Sequence, residues 1–579
     1  MQSDMHLSDQ EVFKNIEAIQ GLLKQQSLDG IYISSSDPYL NEYVPMSNCH
    51  RYYFSGFTGS TADLLILPKG RVKLYVDGRY HEQADNEVDH SIVEVVKVAH
   101  GSSNMKTLLE DIVEQGLKAV ALEGDRVDLG KLARFQEVCE PIVFTQEEVA
   151  SLLTKPSLKK LPVVQELSQA DAGKTVKEKI EEVCPSKDNG FFVSALDSVS
   201  WLSNCRGYHL PNSSAFLGRA LVTNSKLYLF VETGIEVGFI SKEIEVIVCN
   251  YLDLNSRLET LQDELNLKKV HYDHKQLNIT DFTLLQNVFG EKNIESKADG
   301  IIKFQSIKTE GELKSIRESF KKADQAIYKT IKWVKESVSN KNEISELDIY
   351  NKTSESYKGQ GAIEQSFNTI SGVGPNGSII HYGDPKKYVL VKKDDMILVD
   401  SGGYFSSGFA TDTTRTFMAS TDEGSAKHKE IYTLVLKGVL NLQNAVFKEG
   451  TTGAALDMLA RQPLYQAGYD FAHGTGHGVG VHVHEGGVRI SPASNIPMKE
   501  GQVVSIEPGI YIPGFGGVRI ENIATVIKHP THEGFLSFEC LVYIGFEPLL
   551  INFELLNSQE KIWLQDYEAI CKTRDTSFL

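Results

Sequence analysis

Hydrophobic and polar positions along the 579-residue chain fall into three stretches with different rhythms. From Ser8 to about Phe144 helical and strand-like periods alternate. A polar-apolar helix is predicted to end near Gln26, GIYIS reads as a strand, and LLILPKGRVKLYVDGR places a turn at Lys69-Gly70 between two β-rich runs. Pro156 and Pro162 interrupt the pattern and set a boundary near residue 160. The next stretch repeats the layout. WLSNCRGYHLPNSSAFLGRALVTNSKLYLFVETG arranges strands around a glycine turn much as RYYFSGFTGSTADLLILPKGRVKLYVDGR does, and LYVDG has a counterpart in LFVETG. Duplication and chance account for such a likeness about equally well, because many folds use strand-turn-strand segments.

Near residue 305 a strongly amphipathic helix begins, with Leu313, Ile316, Phe320, Ala323 and Ile327 at steps of three and four. A closing helix runs from Ser558 to about Lys572, with Trp563, Tyr567 and Ile570 on its packing face. The division expected is therefore 1–160, 161–305 and 306–579, the first two parts being α/β domains.

Composition narrows the class. With 41% hydrophobic and 23% charged residues the chain can bury large cores. Lys+Arg at 59 against Asp+Glu at 77 gives a net charge of -18, which argues against a nucleic-acid or anionic-membrane partner. The seven cysteines are scattered, odd in number and never spaced C-x-x-C, so neither a disulfide framework nor a zinc ribbon is expected. No signal-like start and no apolar run of about 18 residues is present, which places the chain in the cytoplasm.

Four stretches beyond residue 360 carry unusual residue choices: SGVGPNGSIIHYG, LVDSGGYFSSGFATDTTRTF, FAHGTGHGVGVHVHEGG and VVSIEPGIYIPGFGGVRIENIATV. In the first, Gly372, Gly374 and Gly377 have the spacing G-x-G-x-x-G. Pro375 and the lack of a βαβ setting speak against a dinucleotide site, and a glycine turn feeding a strand, IIHY, that aims His381 is the better account. Asp400 and Asp412, taken alone, read as turn caps. The picture changes because Glu507 and Glu521 also lie after or within apolar runs, where an unpaired carboxylate costs several kcal/mol and needs a cation or a proton. Four carboxylates and an imidazole are mostly hard oxygen ligands, suited to Mn²⁺ or a similar divalent ion. Two such ions, at about +4, would offset the carboxylates and activate a water for hydrolysis. In the glycine-rich stretch His473 and His477 are i and i+4 without the H-E-x-x-H pattern, and the glycines disfavour a helix there. His482 and His484 would share one face of a strand, an H-x-H pair with no further ligands of its own nearby.

Taken in order, DSG…TDTTRT, HGTGHGVG, VHEG, EPGIY and GVRIEN resemble the metallopeptidases of the creatinase and methionine-aminopeptidase fold, the pita-bread fold, and more narrowly the long three-domain Xaa-Pro aminopeptidases. The likeness extends to RYYFSGFTGS and DGRY in the first domain, SALDSVSWLSNCRG in the second and GFEPL near the end. It implies two creatinase N-terminal-like α/β domains and an α+β pita-bread catalytic domain. It implies Asp400, Asp412, His477, Glu507 and Glu521 as ligands of two divalent metals, with Mn²⁺ placed before Co²⁺ or Zn²⁺. Glu507 is implied as proton acceptor for water, with His484 contacting the substrate carbonyl, His381 as its companion on the substrate side, and His473 and Arg519 in supporting or substrate-contacting positions; His482 has no family role. The substrates implied are peptides with proline second, and the assembly a homodimer. Alternatives are a prolidase-type dipeptidase and a binding protein that keeps the fold without catalysis. Against the family pattern, Asp400 to Asp412 is one residue longer, His477 to His484 about two shorter, and VHEGG replaces VHEGP. GGYFSSG is the expected host of the extra residue, as a bulge or a longer turn.

Overall fold

The computed structural model describes residues 5–99, 102–154, 161–297 and 300–578. The boundary expected near residue 160 falls at the segment 155–160, outside the described residues. The first helix, Asp9–Gln26, starts from a Ser8/Glu11 capping box and buries Val12, Ile16, Ile19 and Leu23. It lies on a six-stranded sheet with the spatial order Val93–Lys97, Val72–Val76, Asp63–Ile66, Gly30–Ile33, Ala119–Glu123, Glu140–Phe144.

A second six-stranded sheet has the order Ile244–Val248, Leu227–Val231, Gly218–Val222, Asn189–Val193, Lys269–Tyr272, Ile294–Ser296. In both sheets the outer pairs are parallel, and the third strand is antiparallel to both of its neighbours. The runs LYV and LFV occupy the same place, second from the edge. The likeness seen between the two stretches is therefore one of whole-sheet topology.

The amphipathic helix spans Glu310–Ser339 and buries Leu313, Ile316, Phe320, Ala323 and Ile327. Its first turn is capped by Thr309 and Glu312, and Glu312 also accepts from Trp201 Nε1 at 3.0 Å, which ties it to the helix Leu196–Ser203 of the second domain. One apolar core is continuous from Val176 and Phe216 through this helix to Val399, Val503 and Ile544. Beyond it lie a three-stranded antiparallel sheet, Ile370–Val373, Met396–Ser401 and Thr413–Met418, and a six-stranded antiparallel sheet. The order of the latter is Val446–Lys448, Phe535–Cys540, Asn522–Lys528, Val503–Ile506, Gly476–Gly478, Glu485–Ile490. Helices Ala426–Gln443, Gly453–Gln466 and Ser558–Thr573 pack on a second core there.

Three local expectations differ from the structure. IIHY is not a strand: Ile370–Val373 takes the sheet edge, a 3₁₀ turn covers Gly374–Ser378, and His381 lies in a turn. Buried Glu346 imposes that path, since its carboxylate accepts from Val373 N, Asn376 Nδ2, Tyr382 Oη and Lys386 N. In the closing helix Leu564, Tyr567 and Cys571 are inside while Ile570 is 38% exposed, so the packing face is turned away from Ile570. Residues 479–484 form bends rather than a strand, which removes the shared face assumed for His482 and His484.

Candidate metal centre

Each acidic residue singled out in the sequence ends or borders a strand. Asp400 lies in Met396–Ser401, opposite Ile370 and Thr414, and Asp412 immediately precedes Thr413–Met418. Pairing between these two strands is regular from Met396–Met418 to Ser401–Thr413, so the extra residue is taken up in the turn and not as a bulge. A Cβ on Gly402 would stand 1.8 Å from Thr411 O, which shows how tightly the turn closes. His477 is central in Gly476–Gly478, Glu507 follows Val503–Ile506, and Glu521 joins Gly516–Arg519 to Asn522–Lys528. The glycines around His477 serve close packing: a Cβ on Gly476 would stand 2.0 Å from Ser505 O, and one on Gly480 1.9 Å from Glu485 Oε1.

These groups converge. Among the described residues, ligand atoms of Asp412, His477 and Glu521 lie within 4.8 Å of one another. His477 Nε2 is 3.5 Å from Asp412 Oδ2 and 3.3 Å from Glu507 Oε1. Asp400 Oδ2 accepts from Arg519 Nη2 at 2.7 Å, and Glu521 Oε2 from Thr414 Oγ1 at 2.9 Å. Asp400 Oδ1 and Glu521 Oε1 are buried with no hydrogen-bond partner.

The electrostatics follow from crowding anions in a dry place. Burial, then the neighbouring carboxylates, push Asp412 and Glu521 well above the usual carboxylate range. Burial would raise Glu507 too, but its hydrogen bond and attraction to His477 hold it at about 2. Burial would lower His477, but Glu507 outweighs it and holds the imidazole at about 9. Two orphaned oxygens, four converging carboxylates and a His477 Nε2 facing two of them fit a pair of divalent cations. The tautomer agrees: His477 Nδ1 donates to Gly478 O at 3.1 Å, leaving Nε2 as the ligand atom.

His381, His473, His484 and Arg519 line the same cavity of about 1130 Å³. His473 Nδ1 donates to Gly474 O and its Nε2 accepts from Tyr511 Oη, both at 2.8 Å, and Tyr511 in turn accepts from Arg519 Nη1 at 2.8 Å. Burial holds His473 down at about 4, so this chain of donors has a neutral imidazole at its end. His484 stacks edge-on against His477 with centroids 4.4 Å apart and contacts Glu42 Oε2 through Nδ1 at 2.8 Å. His381 Nδ1 is 2.8 Å from Tyr80 Oη, and Tyr80 is 2.7 Å from Ser60 Oγ. His482 is not among the residues lining the cavity; its Nδ1 accepts from the His484 backbone N–H at 3.2 Å and so braces the shortened loop.

Glu42, Tyr511 and Tyr80 were not singled out by sequence reasoning. Tyr80 belongs to the DGRY run that carries the family resemblance, and that run was the available signal; Glu42 had none.

Comparison with known proteins places the whole chain. The profile of Metallopeptidase family M24 matches residues 314–528, and two different profiles, each described as Creatinase/Prolidase N-terminal domain, match residues 154–312 and 15–152. A protein of Laccaria bicolor named "Probable Xaa-Pro aminopeptidase P" is 31% identical over 96% of this chain and 89% of its own. One of the same name from Pyricularia oryzae is 31% identical over 97% and 95%. The crystal structure of a Caenorhabditis elegans X-prolyl aminopeptidase, described as a cytosolic enzyme with a di-nuclear active site, superposes with a TM-score of 0.88 at 23% identity over 98% of this chain and 96% of that one. An Xaa-Pro dipeptidase from Bacillus anthracis gives a TM-score of 0.52 at 25% identity, covering 64% of this chain and 98% of its own.

Proposed function

The chain belongs to the Xaa-Pro aminopeptidase P family of M24 metallopeptidases, and from that membership we propose that it hydrolyses the bond between the first residue of a peptide and a proline in second place. The observation that carries this reading is the convergence of Asp400, Asp412, His477, Glu507 and Glu521, with two buried carboxylate oxygens lacking partners. In the proposal these five side chains hold two divalent cations, with Mn²⁺ preferred because the donors are mostly hard oxygen.

Cations held there supply Lewis acidity: they lower the pKa of water and polarise a carbonyl. The chain's own residues supply the rest. Glu507, ionised at neutral pH, is placed to take a proton from the attacking water and pass it on. His484 offers Nε2 to the cavity, because Nδ1 is engaged by Glu42. With Ser60 donating to Tyr80 and Tyr80 to His381 Nδ1, His381 presents Nε2–H, a donor for the oxyanion that forms on the carbonyl. Arg519 fixes Asp400 and, through Tyr511, the neutral His473. The first domain contributes Glu42 and Tyr80 to the cavity wall, which limits access to slender peptides.

The test is hydrolysis of an Xaa-Pro-Xaa tripeptide and an Xaa-Pro dipeptide after chelation and add-back of single ions. Activity on the tripeptide restored best by Mn²⁺ is expected; cleavage of the dipeptide alone would assign the chain to the prolidases. A cytoplasmic setting and a homodimer belong to the same reading, and light scattering on the purified chain tests the latter. Among the described residues no helix is long and apolar enough to cross a membrane.

A further inference from the structure

The cavity is lined by eight acidic side chains and four arginines. Three of those arginines are engaged. Arg51 donates to Phe57 O, Gly59 O and Ser35 Oγ; Arg79 binds Asp77; Arg519 binds Asp400. Arg489 differs, being exposed and, among the described residues, without a hydrogen-bond or ion-pair partner.

Its position is set by the sheet. Arg489 lies directly opposite His477 in the antiparallel pair Gly476–Gly478 and Glu485–Ile490, so the two side chains leave the same face. The guanidinium lies over Gly474: a Cβ there would stand 3.5 Å from Arg489 Nε and 3.6 Å from Nη2. Gly474 follows His473, so an unpaired cation stands beside the row of side chains leading from His477 to His473. Four of the eight acidic side chains belong to the proposed metal centre and Glu485 is held by Lys308, so a carboxylate entering the cavity meets in Arg489 an arginine whose fork of N–H donors is free among the described residues.

We propose that Arg489 is the anchor for a carboxylate of the bound peptide, and that it makes the cavity prefer substrates with a negative charge shortly beyond the scissile bond. The proposal rests on the Xaa-Pro reading above. The carboxylate has two sources, the C-terminus of a tripeptide or an acidic third side chain.

Kinetics on the Mn²⁺-loaded full chain separate them, using Ala-Pro-Ala as free acid, Ala-Pro-Ala-amide, Ala-Pro-Asp-amide and Ala-Pro-Lys-amide. The expected result is a KM about tenfold lower for a carboxylate-bearing peptide than for Ala-Pro-Ala-amide, a size typical of one charge-assisted contact near water. A gain for the free acid alone identifies the terminal carboxylate; a gain for Ala-Pro-Asp-amide alone identifies the side chain. Arg489→Gln should remove the gain with kcat unchanged, Arg489→Lys should keep part of it, and Arg489→Glu should turn the preference toward Ala-Pro-Lys-amide. Equal KM on all four peptides in the wild type, or a gain that survives in Arg489→Gln, overturns the proposal. If no peptide is cut, the Xaa-Pro reading fails, and calorimetric binding of the same peptides still decides the role of Arg489 by the difference between acid and amide.

Discussion

Glu507 and His477 face each other at 3.3 Å with opposite displacements of their pKa values, so each is held in the state the other needs. Glu507→Ala and His477→Ala should each lower kcat by at least about a thousandfold, as loss of a general base or a metal ligand does. His482→Ala removes one bond to a loop amide, and kcat should stay within about threefold while thermal stability falls by about 1 kcal/mol. Equal loss in all three variants would show that His482 belongs to the centre. The carboxylates also fix a pH dependence. Asp412 and Glu521 have folded pKa values above their unfolded ones, so the stability they lend the metal-free chain is complete below about pH 4 and is lost as pH rises through those raised values. Glu507 acts in the opposite sense, losing its contribution as pH falls toward about 2. Metal binding needs all of these groups and His477 deprotonated, so the gap in melting temperature between Mn²⁺-loaded and chelated protein should widen from about pH 5 to pH 8. A constant gap by calorimetry would contradict this. The five proposed ligands rest on the family resemblance, and the carboxylates inside apolar runs point the same way because such groups demand compensation. Tyr80 and Glu42 were not legible in the sequence, because their partners lie 301 and 442 residues away.

Among elements, the helical turn Ile302–Gln305 and the loop of His484 are joined by a buried polar cluster. Glu485 binds Lys308 and accepts from Gln305 Nε2 at 3.0 Å, and Gln305 accepts from Ser198 Oγ at 2.9 Å through its side-chain oxygen. Lys308→Met leaves the Glu485 carboxylate uncompensated and should destabilise the fold by about 3–5 kcal/mol, whereas adding Glu485→Leu should recover much of that loss. Denaturant titration of the two variants checks it; equal losses would mean that the cluster acts through packing alone. Helix and strand periods located the long elements well, because the helix Glu310–Ser339 and the strand Met396–Ser401 carry their apolar pattern within themselves. IIHY misled for the opposite reason: β-branched residues favour a strand, but Glu346 gathers four donors from the 373–386 segment and turns it. The misplaced face of the closing helix has a similar origin, since Tyr567 bonding to Arg415 and Glu560 bonding to Lys437 set its rotation.

Over the whole molecule, two sheets of like topology precede the catalytic region, and the part of the chain that builds the first of them supplies Tyr80 to His381 and Glu42 to His484. Tyr80→Phe keeps the ring but frees the His381 tautomer, and kcat should fall by up to about tenfold with little change in KM. Because the cavity wall is shared by residues of the first and last thirds, an unstructured Xaa-Pro peptide should be cut far faster than the same terminus on a folded protein. Comparable rates would mean that the walls part freely. The two buried oxygens without partners, Asp400 Oδ1 and Glu521 Oε1, reach further than catalysis. A chain made in a cell starved of divalent cations keeps those oxygens without partners in its core, opens more often and meets proteases more often. Its abundance, and not only its turnover, then becomes a gauge of nutrient metal.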